Sequence, residues 1–143
     1  MIAGDPIHAV VRQSKVNQDG KTVGITMPSH QAQQALLTSL LATAQIDPVS
    51  IDYVEAHGTG TKAGDTEELK AISSVLSSKK RKSVLFVGSC KGNIGHLESA
   101  SGIAGVVKMI LALKGGIIFP QPLFRIPKKD LRFEEWGIRV RPS

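Results

Sequence analysis

The sequence predicts a mixed α/β domain, and three observations point to it. Short apolar runs alternate with longer stretches whose apolar residues recur at helical spacing. Two strand-loop-helix units follow one another directly, the pattern of a sheet with covering helices. Each unit carries a histidine in the loop after its strand, in Glu55-Ala56-His57-Gly58-Thr59-Gly60-Thr61 and in Lys91-Gly92-Asn93-Ile94-Gly95-His96-Leu97-Glu98. At 143 residues and 41% hydrophobic, the chain can build one core but not two. Residues 1–143 are therefore read as a single domain.

Taken in order, Ile7 to Arg12 has strand composition and runs on to the turn signal Asn17-Gln18-Asp19-Gly20, which predicts a sheet edge. Ser29 after Pro28 is an N-cap for a first helix carrying Leu36, Leu37, Leu40, Leu41 and Ala44, stopped by Asp47-Pro48. Ile51 to Glu55 alternates as a strand. The Gly-Thr-rich loop after it ends at Asp65, where Glu68 three residues on predicts a capping box. The second helix then places Leu69, Ile72, Val75 and Leu76 on one face. Val84 to Val87 is a continuous apolar run, as in a strand covered on both sides. From His96 to about Leu113 comes a helix rich in Ser, Ala and Gly, stopped by Gly115-Gly116 and read as a buried central helix. The tail, with Pro120, Pro122, Pro127 and then Ile138-Arg139-Val140, predicts loops with one or two short strands.

Composition excludes several functions. No run approaches the length of a membrane span, and Met1-Ile2-Ala3-Gly4-Asp5-Pro6 lacks the charged start and apolar core of a signal peptide, so a cytoplasmic protein is expected. The single cysteine, Cys90, excludes a disulfide framework and a multi-cysteine metal cluster. His8, His30, His57 and His96 are too widely spaced for a histidine metal pair, so no metal is expected. The net charge of +6 and the run Lys79-Lys80-Arg81-Lys82 invite a nucleic-acid reading. Yet the run lies between a helix end and a strand, where cations suit the negative helix end and remain in water. Aromatics total only 4%, and none lies within the run to stack on bases, so nucleic-acid binding is set aside. A basic surface suits an acidic protein partner equally well.

The two histidine loops carry the chemistry. Gly-Thr-Gly-Thr after His57 is backbone that turns sharply and offers amides and hydroxyls to a ligand. His96 falls at a predicted helix N-terminus, whose positive end favours a neutral imidazole able to donate to a carbonyl becoming an oxyanion. Lys91 and Glu98 bracket it as an expected charge pair.

The run His57-Gly58-Thr59-Gly60-Thr61 through Gly64-Asp65 to Glu67 and Glu68, together with Lys91 to Glu98, resembles the signatures of the β-ketoacyl synthase (ketosynthase) family, above all the ketosynthase domains of polyketide synthases. Val16 to Gly20, Gly24-Ile25-Thr26-Met27-Pro28 and Ser99 to Gly105 are similar to that family too, in family order over essentially the whole chain. The resemblance implies a thiolase-like fold, layered αβαβα, of which this chain matches only the C-terminal half. It implies decarboxylative Claisen condensation of acyl and malonyl-type thioesters, the latter carried on the phosphopantetheine of an acyl carrier protein, by a condensing acyltransferase.

In that scheme His57 and His96 hydrogen-bond the malonyl thioester carbonyl and stabilise the enolate. Lys91 holds the site electrostatically, paired with Glu98. Thr59 and Thr61 match positions that contact the phosphopantetheine arm, whereas Asn93 and Asp65 match loop architecture. No cofactor is implied for the chain itself. The implied partners are an N-terminal half bearing the nucleophilic cysteine in an Ala-Cys-Ser-Ser motif, the carrier protein, and a second copy in a homodimer. Nothing in this sequence matches that motif. Cys90 precedes His96, the wrong order for the second cysteine of a degradative thiolase, and is read as a small buried hydrophobe. The half is expected to be inactive alone and to leave a contiguous apolar face of the His96 to Leu113 helix and the Val84 to Val87 strand exposed, since both are patterned for burial on more sides than one half can cover. A non-catalytic structural or partner-binding half is the alternative.

Overall fold

A computed structural model describes residues 4–22, 24, 27–61 and 63–143 of the chain. Met1 to Ala3 and, within the Gly24 to Pro28 block, Ile25 and Thr26 lie outside the described residues. Three parallel strands, β1 (Tyr53–Glu55), β2 (Leu85–Gly88) and β3 (Ile138–Arg139), form one sheet in the order β1-β2-β3. Tyr53 lies opposite Phe86, and Leu85 opposite Ile138. Helices α1 (His30–Ala44) and α2 (Gly64–Leu76) pack on each other and cover one face, while α3 (Lys91–Ile94) and α4 (Ser101–Gly115) follow β2.

Strand periodicity decides what each face holds. Val54, Leu85, Val87 and Ile138 join Leu41 from α1 and Leu69, Ile72 and Leu76 from α2 in the core. Leu85 and Ile138 are fully buried, worth roughly 1.5–3 kcal/mol each. The other face presents Tyr53, Glu55 and Phe86 toward α4. Helix α1 starts as its local signals predict: the Ser29 hydroxyl accepts the Ala32 N–H at 3.1 Å. It ends on Gln45 in the left-handed region, and the Asp47 carboxylate caps the short turn Pro48–Ser50.

Five expectations are corrected. The segment Ile7 to Arg12 forms no strand, and Val10 and Val11 stand 71% and 79% exposed, because no neighbouring strand supplies ladder partners. The helix expected from His96 begins at Ser101, after a turn at Glu98–Ala100. It is not buried: of α4 only Gly105 is buried, and Ile103 and Leu113 are 63% and 67% exposed, because this sheet covers only one side of the helix. The Lys79 to Lys82 run does border the end of α2, but Arg81 is taken out of water. Its guanidinium donates to the carbonyls of Leu76 and Pro48 at 3.2 and 3.1 Å, and also to that of Ile51. In β2, Phe86 is only half-buried, so the strand is not sealed on both faces.

Candidate functional site

In a parallel pair, the loops leaving both strands emerge at the same edge of the sheet, and ligand sites gather there. Ala56 prolongs the pairing past β1 by donating its N–H to the Gly88 carbonyl at 2.8 Å. The chain then turns, with Gly58 at φ +50° against Ser89. The expected capping box does not form, and the carboxylates that suggested it hold the histidine loop instead. Glu68 accepts the backbone N–H groups of His57 and Gly58 at 2.6 and 2.9 Å, and Asp65 accepts that of Gly60 at 3.0 Å. Ala63, at the N-cap of α2, offers no side-chain cap, and the Gly64 N–H donates to the Thr61 hydroxyl at 3.2 Å.

The second loop leaves β2 through Ser89 and Cys90, makes the single turn α3, and passes Gly95 at φ +77° before His96. The Glu98 N–H donates to His96 Nδ1 at 2.9 Å, with the Ser101 hydroxyl at 3.0 Å from the same nitrogen. An acceptor Nδ1 places the ring hydrogen of the neutral imidazole on Nε2, which leaves Nε2 as the donor. The two loops bring the rings of His57 and His96 to 5.5 Å between centroids, edge to face at 85°.

The remaining residues singled out from the sequence take distinct places. Lys91 opens α3 half-buried and lines, with His57, Ser101 and Val106, a cleft of about 600 Å³. Thr59, Thr61 and Asp65 line a second cleft of about 300 Å³, to which His57 also contributes. Asn93 borders a hollow with Cys90 and Lys108. No Lys91–Glu98 ion pair forms among the described residues. Glu98 is exposed at φ +50° and supports His96 through its backbone N–H, not its carboxylate. Cys90 is 8% exposed, and burial followed by the nearby Glu55 carboxylate pushes its thiol up, away from the thiolate. Among the described residues, no group of three or more metal-ligating side chains comes together, and no helix is long and apolar enough to cross a membrane.

Sequence reasoning missed a buried polar cluster beneath the loops. Lys108 of α4 donates to Glu55 at 2.6 Å and to the Tyr53 hydroxyl at 2.7 Å, and Tyr53 donates to the same carboxylate at 2.7 Å. Burial, then the Glu55 carboxylate, push the Tyr53 phenol far above its ordinary range, so it remains a neutral donor. The available signal was a lone lysine inside the apolar run Val106-Val107-Lys108-Met109. Lys128 of the tail was missed as well. It donates to the carbonyls of Gly60 and Thr61 at 2.9 and 3.1 Å and lies 3.5 Å from Asp65.

Comparison with known proteins gives consistent likenesses. The family described as beta-ketoacyl synthase, C-terminal domain, matches residues 8–125. The chain is 52% identical over 136 residues to the reducing polyketide synthase PKS1 of Cochliobolus heterostrophus, an alignment covering 95% of this chain and 5% of that protein. To the highly reducing polyketide synthase tstA of Talaromyces stipitatus it is 50% identical over 139 residues, covering 96% and 5%. The chain thus spans about one-twentieth of the curated relatives it matches. Among solved structures, the ketosynthase from module 6 of the bacillaene synthase of Bacillus subtilis 168 (C167S mutant) superposes with a TM-score of 0.89 at 41% identity, covering 97% of this chain and 26% of that one. The module 1 ketosynthase of the Bacillus amyloliquefaciens FZB42 bacillaene synthase gives 0.90 at 38%, covering 98% and 26%.

Proposed function

Because this chain belongs to the β-ketoacyl synthase C-terminal domain family and has the thiolase-like fold of ketosynthase domains, we propose that it supplies the two-histidine half of a polyketide condensing site. The observation that carries the proposal is the meeting of His57 and His96, 5.5 Å apart, on loops from two adjacent parallel strands. The other half would come from an N-terminal segment bearing a nucleophilic cysteine, the complete domain working as a cytoplasmic homodimer with an acyl carrier protein.

In this reading an acyl chain is held as a thioester on that cysteine. A malonyl or methylmalonyl thioester, carried on phosphopantetheine, enters along Thr59 and Thr61. Cleavage of its carboxylate carbon–carbon bond releases carbon dioxide and leaves the electron pair as an enolate. Hydrogen bonds from His57 and His96 stabilise the enolate oxygen, and Nε2 of His96 is already the donor nitrogen. The enolate carbon attacks the acyl thioester, a carbon–carbon bond forms, and the cysteine thiolate leaves, which makes the enzyme an acyltransferase. Lys91 contributes positive charge to the cleft it shares with His57. Asp65 and Asn93 shape the loops.

In a ketosynthase completed by its N-terminal half, His57→Ala and His96→Ala should each lower malonyl decarboxylation by about 10²–10³, the loss typical of one oxyanion donor. Unchanged decarboxylation in both variants would remove the assignment. The burial of Cys90 favours a second reading for the 143-residue chain on its own, an inactive half that serves structure or partner binding.

A further inference from the structure

Glu55 joins three elements through one carboxylate. One oxygen accepts the Cys90 N–H at 2.5 Å, and the other receives Lys108 of α4 and the Tyr53 hydroxyl. The Glu55 and Lys108 side chains are only 11% and 13% exposed. A buried ion pair of this kind adds little net stability, since apolar side chains of similar volume commonly replace one without loss. What an apolar replacement cannot do is accept the Cys90 N–H. That N–H falls where β1 has run out of ladder carbonyls: Ala56 makes the last pairing with Gly88, and the His57 N–H has already turned away to Glu68. The Glu55 side chain takes the place of the next ladder carbonyl.

The geometry leads from this carboxylate to both imidazoles. Glu55 is two residues before His57 in the chain. Cys90 begins the loop that carries Lys91 and His96, and Lys108 belongs to the helix whose first residue, Ser101, contacts His96 Nδ1. Gly105, the buried residue of α4, permits the approach, since a Cβ there would lie 3.2 Å from Glu55 Cγ. We infer that Glu55 is a positioning residue that fixes the separation of the His57 and His96 rings by suspending the second loop from the strand that carries the first. This rests on the condensing reading for its effect on rate, but not for its effect on ring geometry.

The test compares three variants of a complete ketosynthase carrying this segment. Glu55→Leu with Lys108→Met removes both charges and the acceptor. Glu55→Gln with Lys108→Met removes the charges but keeps an acceptor for Cys90. Glu55→Asp keeps the charge but shortens its reach. Histidine-selective labelling reads ring-to-ring proximity, amide exchange reads the Cys90 N–H, and malonyl decarboxylation reads function. The leucine and aspartate variants should lose ring proximity and Cys90 protection, with kcat falling on the order of 100-fold for a displacement of about 1 Å while KM moves little. The glutamine variant should keep both signals and a rate near that of the parent, and the aspartate variant decides the matter if the leucine variant does not fold. Preserved ring proximity and exchange in the leucine and aspartate variants would overturn the inference. Lost proximity with unchanged decarboxylation would uphold the positioning role and sink the condensing one.

Discussion

Gly58 is a point of close approach between the two loops. Its φ of +50° lies in the left-handed region, and a Cβ built there would sit 2.9 Å from Ser89 Cβ. Gly58→Ala therefore combines a left-handed penalty of about 1–2 kcal/mol with overpacking of about 1–3 kcal/mol. Chemical denaturation should show destabilisation of at least about 1 kcal/mol, and a loss below that would mean Ser89 yields freely. At this scale the sequence was legible in residue type more than in partnership. His57 and His96 stood out and do come together. Lys91 and Glu98 bracket His96 but do not pair, because Lys91 sits half-buried at the start of α3 while Glu98 lies in an exposed turn with φ +50°. Glu68 matched a helix-capping pattern, yet it reaches back eleven residues to His57, a partnership that only tertiary folding creates.

Helices α1 and α2 are joined by a charged clasp. Glu67 lies 2.5 Å from His30 Nδ1 and 3.1 Å from Lys70 Nζ. Burial works against its charge, but the hydrogen bonds from His30 and Lys70 outweigh it and hold the carboxyl below its ordinary value of 4.5. A depressed carboxylate contributes stability that is complete above the unfolded value and disappears as pH falls through the folded one. The thermal unfolding midpoint should thus fall from about pH 4.5 downward, and Glu67→Gln should flatten that slope while lowering stability at neutral pH. An identical slope in the variant would show that the clasp adds nothing. The elements legible in the sequence were those with local signals, such as α1 between Ser29 and Asp47-Pro48. Ile7 to Arg12 misled because strand composition does not create a strand without a neighbour to pair with.

At the scale of the whole molecule, α4 leaves Ile103, Val107, Leu111 and Leu113 substantially exposed, and apolar clefts of about 600 and 590 Å³ flank it. Apolar surface of this extent favours association with another surface. The 143-residue chain alone should bind a hydrophobic dye strongly and sediment as more than a monomer, whereas a monodisperse monomer with weak dye binding would show that the face closes on itself. The layered architecture was legible because two strand-loop-helix units recur. The exposed face was legible as well, since a helix patterned for burial on several sides exceeds what one half can cover, but which residues of α4 it bares was not, because composition does not reveal which sides of a helix its own chain covers.

The all-parallel register carries a kinetic consequence. No hairpin can nucleate this sheet, because Tyr53 must find Phe86 across a helix and Leu85 must find Ile138 across α4 and the whole proline-containing tail. Pairings so distant along the chain bear their loop-closure entropy before any contact rewards it, which slows folding. Bringing the imidazoles together therefore depends on completing the distant β1–β2 pairing, since each ring sits on a loop that leaves one of those two strands.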